Sequence, residues 1–172
     1  MKIKSPLLAV PIKYGLVGGI LSVLIFIIIY VLGKNPLIIY RDFDFSFLLL
    51  PIFIAFSIKE FRDNWNNRSL KFGEGMSVGF INYLIVASIS GLFIFIFLNI
   101  ESSMLAEYIS DRSLLIVNIK EDMVKTMGQE LYQKTYDDLQ GTTAYVIALD
   151  DFLKKIIIGL FLTIIISIIF KK

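Results

Sequence analysis

Long runs of uncharged apolar residues divide this chain, and they constrain its fold more than any other feature. The run from Tyr14 to Leu32 has 19 residues without a charge, and the run from Gly75 to Ile100 has 26. At 1.5 Å per residue, a helix of either length can cross the roughly 30 Å hydrocarbon core of a bilayer. Both runs therefore predict transmembrane helices.

Two further apolar segments are shorter or carry charges. Phe45 to Ile58 has only 14 uncharged residues, so an upright crossing must draw in its flanks. Phe152 to Phe170 contains Lys154 and Lys155 in its first turn, from which long side chains can reach the headgroups. We predict a single membrane domain with four spans at about 14–32, 43–60, 75–98 and 152–170.

The composition agrees with a membrane protein. Hydrophobic residues make up 56% of the chain and the mean hydropathy is +0.76, whereas soluble domains are about 45 to 50% apolar. The predicted fold class is all-α: a polytopic membrane helix bundle of four transmembrane helices, with short amphipathic helices in the long third connection, 101–151. The chain has no cysteine and no histidine, which removes a thiolate nucleophile, cysteine metal sites and the usual catalytic base.

Charge differs between the segments that flank the spans. The segment Lys59–Glu74 has four basic and three acidic residues, the N-terminal tail has three lysines and no acid, and the chain ends in two lysines. The segment 101–151 instead carries ten acidic and four basic residues. By the positive-inside rule, this predicts a multi-pass inner-membrane protein with both termini in the cytoplasm and 101–151 outside.

The segment 101–151 contains apolar residues three and four positions apart, which is typical of an amphipathic helix. They are Ile116, Ile119, Met123, Met127 and Leu131. The simpler interpretation is a set of short helices that cap the bundle or lie on the outer leaflet. The alternative is a docking surface for another membrane or periplasmic protein, with Ile116, Ile119, Met123 and Met127 as its anchors.

The sequence Gly75-Met76-Ser77-Val78-Gly79 matches the G-x-S-x-G pattern of a hydrolase nucleophile. It opens a predicted membrane helix and no histidine is available as a base, so close helix packing is the better interpretation. Gly75 and Gly79 then lie on one face with Asn82, and Gly15 and Gly19 form a similar pair in the first span. Asn82 is the buried polar residue we expect to bond between helices.

The predicted spans contain no ionisable residue far from their ends, which disfavours ion transport. We predict no catalytic, cofactor or metal site, no nucleic-acid partner, and membrane lipids as partners. The favoured function is an accessory or assembly subunit of a cell-envelope membrane complex. A lipid-handling or small-solute transport protein acting as an oligomer is the alternative, and an enzyme is disfavoured.

Two stretches resemble a known family. They are Ile58-Lys59-Glu60-Phe61-Arg62-Asp63 and the stretch from Leu70 to Phe80, together with the opening Lys13-Tyr14-Gly15-Leu16. They are similar to the domain of unknown function 4199 family of Bacteroidota, although Gly75 stands where that family would have alanine. The resemblance implies four membrane spans and a location in the cell envelope. It implies no activity and no functional residues.

Overall fold

A computed structural model describes residues 5–42 and 46–171, and within these ranges the chain is helical without β-strands. The α-helices are α1 (Pro6–Val31), α2 (Pro36–Asp42), α3 (Ser46–Glu60), α4 (Phe72–Ile100), α5 (Ser102–Asn118), α6 (Lys120–Met127), α7 (Gln129–Gln140) and α8 (Ala144–Phe170). A short π-helical segment, Phe61–Trp65, continues directly from α3. The predicted all-α class is confirmed for the described residues.

Helices α1, α4 and α8 are long and apolar enough to cross a membrane. Helix α3 has 15 residues, or roughly 22 Å, which is short of the usual span. The first residues of the predicted second span, 43–45, lie outside the described residues. The structure therefore supports three helices that could span a membrane, and the fourth crossing stays a prediction.

Helices α1 and α4 run parallel, whereas α4 and α8 run antiparallel. Gly15 lies against Asn82 and Gly19 lies against Ile89, so the residue numbers of both helices increase in the same direction. Gly75 lies against Ser167 and Gly159 against Tyr83, which reverses the order for α8. Helix α3 packs on all three, and its Leu50, Ile54 and Ile58 are fully buried.

The basic segments meet at one end of the bundle, which we call the basic end. Lys13 of α1 pairs with Glu60 at the end of α3, with Nζ 2.5 Å from Oε2. The guanidinium of Arg62 lies 4.9 Å from the ring centre of Phe170, the last residue of α8. These contacts join the start of α1, the α3–α4 connection and the end of α8.

The opposite end carries α2 and three further helices. We call these three helices, α5, α6 and α7, the outer layer. Asn35 joins the layer to the bundle because its Nδ2 donates to the backbone oxygen of Met104 at 2.8 Å. Tyr30, near the end of α1, donates to Glu101 at 3.2 Å. Helix α7 packs on both α5 and α6. The acidic segment 101–151 and the basic segments thus lie at opposite ends of the molecule.

Candidate functional site

The glycines that the sequence assigns to helix packing lie at close approaches between helices. A Cβ atom added to Gly15 would lie 2.9 Å from the backbone oxygen of Asn82, and one added to Gly19 would lie 2.7 Å from Ile89 Cδ1. Gly18, which the sequence analysis did not single out, lies at a similar approach to Phe53 of α3 and Val86 of α4. A larger side chain at these glycines would press on the neighbouring helices, so the glycines let α1 pack closely against α3 and α4.

Gly75 and Gly79 face polar side chains of α8 rather than the lipid. An added Cβ at Gly75 would lie 2.7 Å from Ser167 Oγ, and one at Gly79 would lie 2.6 Å from Thr163 Oγ1. Both hydroxyl residues are fully buried. The absence of a glycine side chain therefore gives Thr163 and Ser167 room between α4 and α8, which supports a packing role for this G-x-S-x-G sequence.

A set of buried polar side chains lies in the half of the bundle nearer the basic end. Asn82 is fully buried, and its Nδ2 donates to the backbone oxygen of Phe53 in α3 at 3.4 Å. Four buried oxygens have no hydrogen-bond partner among the described residues: Ser57 Oγ, Asn82 Oδ1, Thr163 Oγ1 and Ser167 Oγ. Unpaired polar atoms in an apolar interior cost free energy, so these four oxygens lower the stability gained from packing in this half of the bundle.

An ion pair lies inside the bundle, in the half nearer the outer layer. Lys155 has 0% of its surface exposed, and its ammonium group contacts Oδ1 of Asp151, four residues earlier in α8. The second carboxylate oxygen of Asp151 accepts from Ser90 Oγ of α4 at 2.8 Å. We call these three residues the buried polar cluster. The Asp151 carboxylate thus has two donors and the Lys155 ammonium has a carboxylate. These contacts offset much of the free-energy cost of burying the two charges.

The sequence predicts that Lys155 lies at the membrane surface, whereas the structure places it in the interior of the bundle. Helix α8 begins at Ala144 and not near Phe152, so Lys155 lies roughly 16 Å along the helix axis from its first residue. Its ammonium group reaches back one helical turn to Asp151 and stays buried there instead of reaching the membrane surface. Neighbouring Lys154 is exposed and pairs with the exposed Asp150 at 2.5 Å.

An apolar groove lies on the surface of α4 and α8 close to the buried polar cluster. Its volume is about 540 Å³, and its floor includes Gly91 and Ala148. Aromatic side chains form its walls, with Phe95 on α4 and Tyr145 and Phe152 on α8. Small residues at the floor let the two helices approach closely, because an added Cβ on Gly91 would lie 3.3 Å from the backbone oxygen of Ala148.

The residues predicted to dock a partner belong to two helices and the junction between them. Ile116 lies in α5, Ile119 is the junction, and Met123 and Met127 lie in α6. Ile119 and Met127 are exposed, whereas Ile116 and Met123 are half-buried. The periodic stripe seen in the sequence is thus interrupted at Ile119 and again at Gly128, whose φ of 84° separates α6 from α7.

The second half of α5 exposes more apolar surface than the sequence stripe includes. Leu114 is 63% exposed, and Leu115, Val117 and Ile119 are also exposed. In the whole outer layer, Met104 and Tyr132 are the buried apolar side chains among the described residues. These three helices therefore present apolar residues without having an interior of their own to bury them in.

No group of three or more Asp or Glu residues in the described ranges is arranged to hold a metal ion. The carboxylates of Asp151, Glu60 and Asp63 are engaged by lysine, arginine or hydroxyl groups instead.

Comparison with known proteins assigns the chain to a protein family. The family described as "Protein of unknown function (DUF4199)" matches residues 13–172. The chain belongs to this family. The resemblance seen in the sequence is therefore confirmed over nearly the whole length of this DUF4199 protein. No curated protein and no solved structure matches it.

Proposed function

We propose that this DUF4199 protein is a non-catalytic accessory subunit of a cell-envelope membrane complex, and that its outer layer docks a protein partner. The observation that carries the proposal is the exposed apolar surface at the end of α5, formed by Leu114, Leu115, Val117 and Ile119. Ile116, Met123 and Met127 lie next to it along the chain. Several exposed apolar residues along one short stretch of chain favour an interaction site.

The small interior of the outer layer supports the proposal. Its contacts with the bundle include the bond from Asn35 to Met104 and the bond from Tyr30 to Glu101. Within the layer, Gln140 donates to Ser113 at 2.7 Å and Lys120 lies 5.4 Å from the ring centre of Tyr132. Three short helices with only Met104 and Tyr132 buried among their described residues gain little stability alone, so a partner that covers the apolar surface would stabilise them.

The proposed topology has four spans, with α3 as the second. The parallel packing of α1 and α4 supports it. If both helices cross the membrane, they cross in the same direction, so the chain between them has to return to the first side. Helix α3 lies between them in sequence and is antiparallel to α1, because Phe53 lies against Gly18 while Glu60 pairs with Lys13.

The proposed orientation puts the basic end in the cytoplasm and the outer layer outside the inner membrane. The gathering of Lys13, the segment Lys59–Glu74 and Lys171 at one end supports this, since lysine and arginine favour the cytoplasmic side. The lack of cysteine makes a direct test possible. Single cysteines replacing Lys34, Lys71 and Lys125 can each be treated with a membrane-impermeant maleimide in spheroplasts.

We expect Lys34→Cys and Lys125→Cys to react from outside, and Lys71→Cys to react only after the membrane is permeabilised. Labelling of positions 34 and 71 from the same side would show that α3 does not cross. Labelling of position 71 alone from outside would show that the orientation is reversed.

Site-specific photocrosslinking in cells tests the docking surface. A photoreactive phenylalanine analogue at Leu115 should give a discrete protein adduct, whereas the same probe at exposed, polar Lys125 should not. The triple variant Leu114→Ser, Val117→Ser, Ile119→Ser should abolish the Leu115 adduct without lowering the amount of folded protein, since these side chains are exposed. Adducts with lipid alone, or equal adducts from both probe positions, would contradict the proposal.

We propose small-solute transport coupled to protons as a second candidate, favoured by the buried polar cluster. Ionisable groups in the interior of a membrane bundle are expensive and are found most often where ions or protons pass. Reconstitution into vesicles that contain a pH-sensitive dye tests this candidate. Proton flux that is lost in Asp151→Asn and retained in Asp150→Asn would support it, and the absence of flux in the wild-type protein would contradict it.

A further inference from the structure

The basic end carries a charge pattern that goes beyond what orientation in the membrane requires. Among the described residues, it holds six basic side chains and three acidic ones. The basic residues are Lys13, Lys59, Arg62, Arg68, Lys71 and Lys171, and the acidic residues are Glu60, Asp63 and Glu74. What matters for binding is which of these charges are already engaged within the protein.

The three carboxylates are all engaged. Glu60 accepts from Lys13 at 2.5 Å and from the Tyr14 hydroxyl at 2.7 Å. Asp63 accepts from Arg62 Nε at 2.7 Å. Glu74 accepts from the backbone N–H of Lys71 at 2.9 Å and from Asn66 Nδ2 at 2.8 Å. These bonds direct the acidic groups toward the protein.

The remaining cations are exposed to the surroundings. Lys59, Arg68, Lys71 and Lys171 are exposed and form no ion pair with a described residue. Two of them, Lys59 and Arg68, lie close enough to Asp63 to influence its carboxylate. Their positive charges help the Arg62 hydrogen bond to lower the pKa of Asp63. The positive field therefore extends around the π-helical segment and beyond the Arg62–Asp63 pair.

The backbone of the α3–α4 connection fixes this arrangement. Asn67 and Arg68 have φ values of 50° and 59°, in the left-handed region that non-glycine residues rarely adopt. The reversal they make brings the Arg68 N–H to the carbonyl of Arg62 at 2.9 Å, and Asn66 bonds to the carbonyl of Ser69 at 2.8 Å. Arg68 is thus folded back onto the segment that carries Arg62 and Trp65.

Trp65 gives this surface the character of a membrane interface. It is the one tryptophan in the sequence and is 59% exposed at the end of the π-helical segment. Indole rings concentrate at the headgroup level of bilayers, where the ring meets hydrocarbon and the N–H meets water. An exposed tryptophan on the same end of the bundle as four exposed cations matches a layer of negatively charged headgroups better than it matches water or zwitterionic lipid.

We propose that Lys59, Arg68, Lys71 and Lys171, which lie with Trp65 at the basic end, form a surface that selects anionic phospholipid over zwitterionic phospholipid. The ligand is the phosphate-bearing headgroup of a membrane lipid whose acyl chains lie along α3, α4 and α8. The surface is separate from the outer layer, so it does not depend on the proposed partner.

The single tryptophan provides the readout. The protein is reconstituted into bilayers that contain either a brominated phosphatidylglycerol or a brominated phosphatidylcholine at equal mole fraction, and quenching of Trp65 fluorescence is measured. The brominated anionic lipid should quench more strongly because it is enriched beside Trp65. Soluble glycerol phosphate should not reverse the difference, which separates a bilayer lipid from a free phosphate.

A triple variant and a matched control locate the effect. Lys59→Gln, Arg68→Gln and Lys71→Gln together should lower the preference for the anionic lipid at least about fivefold, since one cation at a membrane surface contributes about that much. Lys120→Gln, Lys125→Gln and Lys134→Gln remove the same charge from the outer layer and should leave the preference unchanged.

Equal quenching by the two brominated lipids in the wild-type protein would overturn the proposal. So would an equal loss of preference in both triple variants, because net charge and not this surface would then be responsible. Each variant remains interpretable only when it elutes as the folded protein in detergent, and the six substituted side chains are exposed, so folding should be retained.

Discussion

The bundle and the outer layer of this protein are stabilised in different ways. In the bundle, α1, α4 and α8 are apolar on all sides, and their inner faces differ from their outer faces by small and polar residues at close contacts. In the outer layer, α6 and α7 are amphipathic and polar, and α5 ends in exposed apolar residues. The bundle is specified by its own packing, whereas the layer depends on what lies beside it.

The largest effect should come from filling a helix contact in the bundle. Gly79→Leu places a side chain where Thr163 packs, so α4 and α8 have to separate, at a cost of at least about 3 kcal/mol. We expect loss of the folded peak in size-exclusion chromatography of a fluorescent fusion. Gly73→Leu is the matched control in the same helix, because no atom lies within 4 Å of a Cβ at Gly73. Equal loss in both variants would refute the role of the contact.

The next effect should come from breaking the buried polar cluster. Lys155→Met leaves the Asp151 carboxylate buried without its lysine and should lower the free energy of unfolding by about 3 kcal/mol or more. Lys154→Met removes the same charge from an exposed pair and should cost at most about 1 kcal/mol. Thermal unfolding in detergent measures both. Similar losses for the two variants would mean that burial of Lys155 has no energetic consequence.

A smaller and local effect should follow from removing the buried ring of the outer layer. Tyr132→Ala should expose the amides of 120–140 to hydrogen exchange while leaving the protection of α4 and α8 unchanged. Leu131→Ala, at an exposed neighbouring position, should change neither. If Tyr132→Ala also lowered protection in the bundle, the two regions would form one cooperative unit and the comparison above would be wrong.

The smallest effect should appear at the start of α8, where the two regions meet. Thr143 Oγ1 accepts from the Val146 N–H at 3.4 Å, a long N-cap bond. Thr143→Ala should therefore cost about 0.5 kcal/mol, and only the first turn of α8 should exchange faster. A change in exchange throughout α8 would show that this cap holds the whole helix in place.

Much of the bundle could be predicted from the sequence because a lipid environment imposes a simple rule. Continuous apolar runs predicted α1, α4 and α8, and the small residues Gly15, Gly19, Gly75 and Gly79 lie where helices meet. The burial of Lys155 could not be predicted in this way. The apolar run begins at Phe152, but the helix begins at Ala144, and no property of a single helix shows that Ser90 of another helix faces Asp151.

The outer layer was predictable in kind and not in detail. Periodic apolar residues indicated amphipathic helices, and the breaks at Ile119 and Gly128 follow from backbone conformations that periodicity does not describe. The exposed residues Leu114 and Val117 are not members of the periodic stripe, which consists of Ile116, Ile119, Met123, Met127 and Leu131. They become visible only when the packing of α5 against α7 shows which of its faces is covered.

The parallel arrangement of α1 and α4 has a consequence for biosynthesis. During insertion, α1 leaves the translocon before its main packing partner has been translated, so its glycine-lined face has to wait in lipid. Helix α3 is short and contains a proline, so it is a weak insertion signal alone. After only a short connection it is followed by the much more apolar α4. In the proposed four-span topology, the two should enter the membrane together as a hairpin that closes on α1, so assembly of the bundle would depend on the α3–α4 connection.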